Sequence, residues 1–406
     1  MIKVGIDIGN SKISSIVCDI KTDGSKKILS FISNPTTYVN KSMVTNLVSL
    51  KDEIHKTINE AAKESQTDIK SVNLNLPAIE SSSIFSESEI NVSGKMISDL
   101  HLKKAVNQSD ILETIENYDV IQKFISSYEL DNKFFSNSPI GTFGDNLKLN
   151  FYKFAVKKNY TNTLSSLFNS LNIHIENYVP TPLSSSLATL NSDDKLLGAI
   201  CIDLGASSTS IALFENEKLI FMDAINVGGK NITNDIARGV STNIESAERL
   251  KTLYGSVISS PSDEYELIEV PYLSNEPSKF KQITRNTINS IIKARVEETL
   301  ELIWQKLKEY NFHRKQIKNL ILTGGGAILE GIAEYAQVIF DSNVRIGMPL
   351  SIKGLDKKFI NPQFSQTIGT ILFNKSDYEI EFLENEEKNK KINVLSRFSS
   401  WLDQYI

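Results

Sequence analysis

The 406-residue chain is long enough for two or three domains, and its 40% hydrophobic content is enough to fill their cores. Its 44 basic and 49 acidic residues leave a net charge of −5, which argues against a nucleic-acid-binding protein. Two cysteines and four histidines, without Cys-x-x-Cys or His-Glu-x-x-His spacing, argue against a disulfide framework and a zinc site and fit a reducing cytosol.

The first residues of the chain, Met1 to Asp7, reach an acid too early for the apolar core of a signal peptide. No uncharged run approaches the roughly 20 residues that a membrane-spanning helix needs. We therefore expect neither secretion nor a spanning segment.

Two segments, Val4–Ile13 and Ala199–Thr209, carry the same pattern nearly half a chain apart. Each has a β-branched run, an Asp (Asp7 or Asp203), an apolar residue, a Gly, and small polar residues leading into another apolar run. The alternation predicts a β-hairpin with the acid just before its turn. Turn amides can hold phosphate oxygens, and a neighbouring carboxylate suits hydrated Mg²⁺. One copy alone would more often mark an ordinary strand-to-turn transition, whereas the pair favours a nucleotide clamp.

A third segment, Leu320–Gly331, predicts a buried strand, a loop at Gly324–Gly326 and then a helix. The glycines would let a nucleoside approach the backbone and leave helix N-terminal amides free. A lone glycine triplet is weak evidence, and neither the P-loop nor the Rossmann spacing occurs. This loop therefore supports a nucleotide site only in combination with the two hairpins.

Together these segments resemble the actin, sugar-kinase and Hsp70 ATPase superfamily, and within it the FtsA family of bacterial cell-division proteins. Further segments that resemble this family are Val227–Ala237, Ser246–Gly255, Val344–Pro349 and Ile368–Leu372. Ile90–Asp99 and the Lys103–Ala105 helix are similar to the small subdomain that distinguishes the family from actin.

The resemblance implies an α/β, actin-like (ribonuclease H-like) fold: a duplicated, two-lobed ATPase with an inserted FtsA-type subdomain and a C-terminal amphipathic helix. The implied parts are subdomain 1A at 1–80 and 160–196, subdomain 1C at 81–159, subdomain 2A at 197–245 and 318–375, subdomain 2B at 246–317, a linker at 376–391 and a membrane-targeting helix at 392–406.

The resemblance also implies that ATP and Mg²⁺ bind between the lobes, with Asp7 and Asp203 orienting the hydrated metal. Glu248 and Lys251, one helical turn apart, could reach the ribose and the adenine edge, although alone they would suggest a solvated pair. The implied nucleotide-binding residues are Gly9, Asn10, Ser11, Lys12, Gly205, Ala206, Ser207, Ser208, Thr209, Gly228, Gly229, Glu248, Lys251, Gly324, Gly325 and Gly326.

The second hairpin departs from the usual superfamily loop. Ala206 and Ser207 replace two glycines, and Ser210 replaces a second acid. Each Cβ restricts the backbone near phosphate, and the missing carboxylate could have oriented metal or water. The first loop has Asn10 where Thr is common. We therefore expect ATP binding with slow or absent hydrolysis.

The end of the chain changes composition. Glu384–Lys391 has mixed charge and no hydrophobic residue, which predicts a solvated linker. Helically spaced apolar residues follow it: Val394, Leu395, Phe398, Trp401, Leu402 and Tyr405. The pattern allows docking on the protein's own core, binding to a partner groove, or membrane-surface binding. The resemblance favours the last, at the cytoplasmic face of the bacterial inner membrane. Because the charge of Arg397 is offset by that of Asp403, insertion of apolar side chains must contribute more to membrane binding than attraction to lipid charge.

A long helical pattern from Phe280 to Tyr310 includes Lys293 and Arg295. The resemblance implies that this region binds the C-terminal tail of FtsZ, the tubulin-like division protein, and basic side chains would suit acids in such a tail. A solvated face explains the two residues equally well.

The resemblance further implies self-association into filaments at the division site and recruitment of downstream division proteins. A PilM-like pilus-assembly protein is an alternative, which a charged linker and terminal helix argue against. A small-molecule kinase would need a third acid as a general base, and no motif supplies one.

Overall fold

The computed structural model describes residues 1–40, 43–111, 116–135, 137–273, 280–310 and 319–375. The expected linker and terminal helix, with Val394, Leu395, Phe398, Trp401, Leu402 and Tyr405, lie outside the described residues. Across the described ranges, no helix is long and apolar enough to cross a membrane.

The described part of the chain contains eighteen strands. In chain order they are β1 (Ile2–Ile8), β2 (Lys12–Ile20), β3 (Lys26–Pro35), β4 (Val39–Asn40), β5 (Met43–Val44), β6 (Ser71–Leu76), β7 (Ser81–Asn91), β8 (Tyr118–Leu130), β9 (Lys133–Phe135), β10 (Asn146–Lys157), β11 (His174–Pro180), β12 (Ala199–Leu204), β13 (Thr209–Glu215), β14 (Lys218–Ile225), β15 (Leu267–Pro271), β16 (Phe280–Thr284), β17 (Asn319–Thr323) and β18 (Asn343–Ile346).

The same residues form ten α-helices. They are α1 (Leu47–Ser65), α2 (Asp99–Ile111), α3 (Lys158–Asn169), α4 (Thr181–Thr189), α5 (Ser192–Leu197), α6 (Gly229–Gly239), α7 (Ile244–Tyr254), α8 (Arg285–Glu309), α9 (Ile332–Phe340) and α10 (Ser365–Leu372).

Two five-stranded sheets share one plan, as the repeated motif predicts. The first has the order β11-β6-β1-β2-β3 and the second the order β14-β13-β12-β17-β18. In each, an antiparallel hairpin (β1–β2 or β12–β13) lies beside a parallel strand (β6 or β17). The hairpins place Asp7 opposite Ser14 and Asp203 opposite Ser210. The two acids therefore occupy equivalent positions in the two halves.

Helices α4 and α10 pack against each other where the two halves meet. Helix α10 also packs on β1 and β2, and the Asn73 side chain donates to the Thr370 carbonyl at 2.9 Å. Gly369 lets the helices approach closely, because a Cβ there would lie 1.7 Å from the Ser184 carbonyl oxygen. This crossing therefore fixes the position of α4 relative to the strands that carry Asp7 and Asp203.

The predicted inserted region folds as a four-stranded sheet, β7-β10-β8-β9, covered by α2. It has a core of its own that includes Leu102, Leu149 and Phe151. The buried Tyr152 hydroxyl donates to the Met222 carbonyl (2.6 Å) and accepts from the Met222 N–H (3.0 Å). This subdomain therefore contacts β14, the edge strand of the second sheet.

The helix expected from Phe280 begins later, at Arg285, so that prediction was wrong at its N-terminus. Phe280–Thr284 pairs with β15 as a strand instead. Thr284 caps the helix, its side chain accepting from the Thr287 N–H. The apolar spacing of a short strand running into a helix is ambiguous, and long-range pairing decides it.

Cys18 and Cys201 are free and buried. Burial raises the pKa of the Cys201 thiol to about 11, so this side chain behaves as a small apolar group.

Candidate functional site

Each hairpin turn closes on a glycine. The Gly9 N–H donates to the Lys12 carbonyl (2.9 Å), and the Gly205 N–H donates to the Ser208 carbonyl (3.0 Å). A Cβ on Gly205 would lie 2.8 Å from the Ser208 oxygen, so this tight turn requires glycine. The predicted pair of equivalent turns is confirmed.

Asp7 is almost fully buried, with 3% of its surface exposed. Its Oδ1 accepts from the Asn75 side-chain amide at 2.8 Å. Asn75 is held in turn by the Thr181 and Ser184 hydroxyls at the start of α4. Burial outweighs this hydrogen bond and raises the Asp7 pKa to about 6. The acid is thus a rigidly held carboxylate in a poorly hydrated place.

Asp203 is equally buried, and its two oxygens differ in their contacts. Its Oδ2 accepts from the Ser185 hydroxyl and from the Gln366 amide (3.0 Å). Its Oδ1 is buried without a hydrogen-bond partner among the described residues. Burial raises the pKa of this carboxyl as well. An unpaired buried oxygen is costly, and a metal-bound water is a donor that would satisfy it. These two acids therefore fit hydrated Mg²⁺.

Lys12 supplies a positive charge beside the acids. Its Nζ donates to the Gln363 carbonyl (2.7 Å) and lies 4.0 Å from the centre of the Phe364 ring. Burial lowers its pKa to about 8, while attraction to Asp7 and Asp203 acts in the opposite direction. An ammonium group held by neutral partners suits an incoming phosphate.

The start of α6 supports the second turn. The Gly229 N–H donates to the Gly205 carbonyl (2.9 Å), and a Cβ on Gly228 would lie 2.7 Å from that oxygen. The Thr209 hydroxyl donates to the Val227 carbonyl (2.8 Å). The Ser207 hydroxyl is buried without a partner in the described structure. It is therefore a second polar atom here that a ligand could satisfy.

Glu248 and Lys251 form the predicted pair on α7, 2.7 Å apart, and both contact the Thr233 hydroxyl. The Lys251 Nζ also reaches the Gly229 carbonyl at 3.2 Å. Glu248 remains half-exposed, so its side chain can still accept from a ribose hydroxyl.

The glycine loop after β17 meets the second turn. Gly324 has a φ of 85°, and a Cβ there would lie 2.4 Å from Asp203 Oδ1. Beside Gly325 there is open space, since a Cβ would find only the Gln363 Cβ, at 3.9 Å. A small recess adjoins these loops and is lined by Leu204, Thr209, Gly228, Gly229, Ile232, Val296, Thr299, Leu300, Gly326 and Ile332.

The two partner candidates, Lys293 and Arg295, make contacts within the chain. Arg295 is bonded to Asp235 of α6 at 2.5 Å and to Glu298. The Lys293 Nζ lies 5.5 Å from the Tyr335 ring centre. Both basic residues therefore already have partners within the chain.

Sequence reasoning missed the side chains that hold the acids, which are Asn75, Ser185 and Gln366. Asn75 and Gln366 carry no motif. The Ser184–Ser186 run between Leu183 and Leu187 was a usable signal, because hydroxyl residues in an apolar stretch need internal partners once they are buried, as all three are.

A family model described as "Cell division protein FtsA" matches residues 200–369. Cell division protein FtsA of Agrobacterium fabrum (strain C58) is 30% identical over 344 residues, covering 84% of this chain and 78% of the relative. Cell division protein FtsA of Escherichia coli (strain K12) is 25% identical over 415 residues, covering 98% and 97%.

Solved structures show the same fold at low identity. A structure titled "PilM-PilN type IV pilus biogenesis complex" has a TM-score of 0.62 at 16% identity, covering 91% of this chain and 97% of that one. MreB5 of Spiroplasma citri bound to ADP gives 0.56 at 12%, covering 93% and 97%. The MamK double helical filament gives 0.52 at 11%, covering 91% and 97%. The predicted actin-like fold is confirmed.

Proposed function

The chain belongs to the FtsA family of cell division proteins, and from this membership we propose that it binds Mg²⁺ and ATP between its two halves. It is a division protein with an actin-like fold. The observation that carries the proposal is the convergence of two buried carboxylates and Lys12 on two glycine turns. MreB5 of Spiroplasma citri, a protein of the same fold, has been solved with ADP and with AMPPNP.

Each part of the site has a role in this proposal. Asp7 and Asp203 would orient the metal's water shell, and the turn amides with Lys12 would bind phosphate oxygens. Glu248 and Lys251 would contact the ribose and the base edge. When bound, Mg²⁺ would neutralise phosphate charge. This chain's own residues supply the shape of the site and its hydrogen bonds.

Hydrolysis should be slow, because none of the described side chains that hydrogen-bond to the two acids is a carboxylate. The partners of Asp7 and Asp203 are the Asn75 and Gln366 amides and the Ser185 hydroxyl. Ser210, which replaces the usual second acid, is buried opposite Asp203 with its hydroxyl unpartnered in the described structure. A hydroxyl cannot act as the general base that a carboxylate provides.

Calorimetry of nucleotide binding, together with a phosphate-release assay, tests both the proposed ATP binding and the proposed slow hydrolysis. We expect saturable Mg²⁺-dependent ATP binding, with phosphate release far slower than nucleotide exchange. No measurable binding would reject the nucleotide site. Turnover of several molecules per second would reject slow hydrolysis while leaving the site intact.

We further propose that the segment 392–406 is a membrane anchor on the cytoplasmic face of the inner membrane, at the division site. Its apolar residues recur at a spacing that would place them on one side of a helix, which would suit insertion at a lipid surface. Burial of a large apolar side chain contributes roughly 1.5–3 kcal/mol, but interfacial insertion is partial and the helix must fold as it binds. One copy should bind weakly, and several copies on a filament would bind tightly. MamK, a protein of this fold, forms a double helical filament.

The proposed partner of the membrane-bound filament is the C-terminal tail of FtsZ, held by the region of β15, β16 and α8; later division proteins would join the assembly. This region exposes apolar side chains on its hairpin, including Leu267, Tyr272 and Phe280. These side chains would give the tail an apolar surface to contact. The proposal therefore does not depend on Lys293 and Arg295, which have intramolecular partners.

A vesicle sedimentation assay with FtsZ tests the anchor and the tether together. The full chain should carry FtsZ into the vesicle pellet more strongly with ATP, and deletion of 392–406 should abolish this while leaving nucleotide binding intact. Trp401→Asp should match the deletion, because a charge on the apolar side opposes insertion. Gln404→Asp adds the same charge on the opposite side and should still sediment. Unchanged sedimentation of the deletion variant would refute the anchor. Sedimentation of the full chain that leaves FtsZ in the supernatant would refute the tether.

A further inference from the structure

Lys230, in the first turn of α6, connects the two phosphate loops. Its backbone N–H donates to the Ala206 carbonyl in the second turn at 2.7 Å. Its side-chain Nζ donates to the Asn10 carbonyl in the first turn at 2.8 Å. Asn10 and Ala206 belong to different halves of the molecule, so one residue spans the cleft at the point where the two turns face each other.

The Asn10 carbonyl is a weak partner for an ammonium group in this place. Lys230 is partly buried, and burial lowers its pKa. Among the described residues it forms no ion pair within 4.0 Å, since Glu248 acts on it only at longer range. A partly buried cation bonded to a neutral carbonyl has lost part of its hydration without gaining a counter-charge in direct contact. An anion between the turns would supply that charge and form a stronger hydrogen bond.

We propose that Lys230 is the specificity-determining residue that makes the site prefer a nucleoside triphosphate to a diphosphate. The inference rests on the proposed nucleotide binding. The ammonium group exchanges the Asn10 carbonyl for a phosphate oxygen, and the gain grows with the phosphate charge between the turns. The Lys230 backbone N–H stays bonded to the Ala206 carbonyl. The same exchange of partners therefore couples the position of α6 to whether a triphosphate or a diphosphate is bound.

The test compares dissociation constants for ATP and ADP, each with Mg²⁺, by calorimetry. Lys230→Met removes the charge and the donor, and Lys230→Gln keeps a donor for the Asn10 carbonyl but removes the charge. Arg238→Met is the matched control, since it removes one exposed charge from the far end of α6. We expect both Lys230 variants to weaken ATP binding about tenfold and ADP binding about twofold at most, because a charge-assisted hydrogen bond is lost. Lys230→Arg should keep most of the preference.

The outcomes separate the two proposals. Equal weakening of ATP and ADP, or no change in either variant, would overturn the role of Lys230 while the nucleotide site stands. Loss of preference in Arg238→Met as well would also overturn it, because a general charge effect would then suffice. If the unmodified chain binds neither nucleotide, the proposed site itself fails, and the role of Lys230 fails with it.

Discussion

The Asp7→Asn variant should be more stable than the unmodified chain without ligand, yet bind Mg²⁺ and ATP much more weakly. Asp7 is buried with 3% exposure, and burial raises its pKa to about 6 from an ordinary value of 3.8. The substitution preserves shape, and the new amide oxygen can still accept the hydrogen bond from Asn75. What it removes is the buried charge.

The sign of the stability change depends on pH. Between about pH 4 and pH 6 the folded chain holds a proton on Asp7 that the unfolded chain has released, so this group lowers stability as pH rises. The cost is absent below that window and complete above it, where a shift of two pKa units corresponds to about 3 kcal/mol. Urea unfolding should therefore show a gain for the variant at pH 7.5 and none at pH 4.

Ligand affinity should change in the opposite direction. Loss of a group that orients a metal's water shell costs about 10–100-fold in affinity. The control is Asp68→Asn, which removes an equally charged side chain that is 79% exposed and should change neither property. If the variant kept full Mg²⁺-dependent ATP affinity, Asp7 would have no role in binding the metal. A stability gain that was the same at both pH values would contradict the buried-charge explanation.

The parts of the site that could be predicted from sequence are those made by neighbouring residues. Asp7 and Asp203 were found because a hairpin's alternation and its turn are both local, so a short pattern is enough to place the acid beside the glycine. The family resemblance singled out Glu248 and Lys251, and one helical turn places them on the same face. The structure shows these two side chains 2.7 Å apart, as residues one helical turn apart can be.

The parts that could not be predicted depend on distant contacts. Gln366 reaches Asp203 because α10 crosses α4, and Lys230 reaches Asn10 only when the two halves face each other. Arg295 looked equally suited to a solvated face or a partner site, but Asp235, 60 residues earlier in the chain, binds it. A charge pattern carries no information about such a partner until the fold is known.

Gly369→Ala should strongly destabilise the chain. The added Cβ would lie 1.7 Å from the Ser184 carbonyl oxygen and 2.3 Å from its carbon. These are backbone atoms of α4, so no side-chain rotation can relieve the overlap, and α4 and α10 must move apart. Overpacking usually costs about 1–3 kcal/mol, and a clash between two helix backbones should reach the upper end of that range or exceed it.

The matched control is Gly325→Ala, whose Cβ would meet nothing closer than 3.9 Å and which should change the urea midpoint very little. Separation of α4 from α10 should also weaken nucleotide binding, because α4 carries Ser185, which holds Asp203, and Ser184, which holds Asn75. Gly369→Ala should therefore lose stability and ATP affinity together, whereas Asp7→Asn exchanges one for the other. Equal urea midpoints for Gly369→Ala and the unmodified chain would show that the helices do not cross this closely in solution.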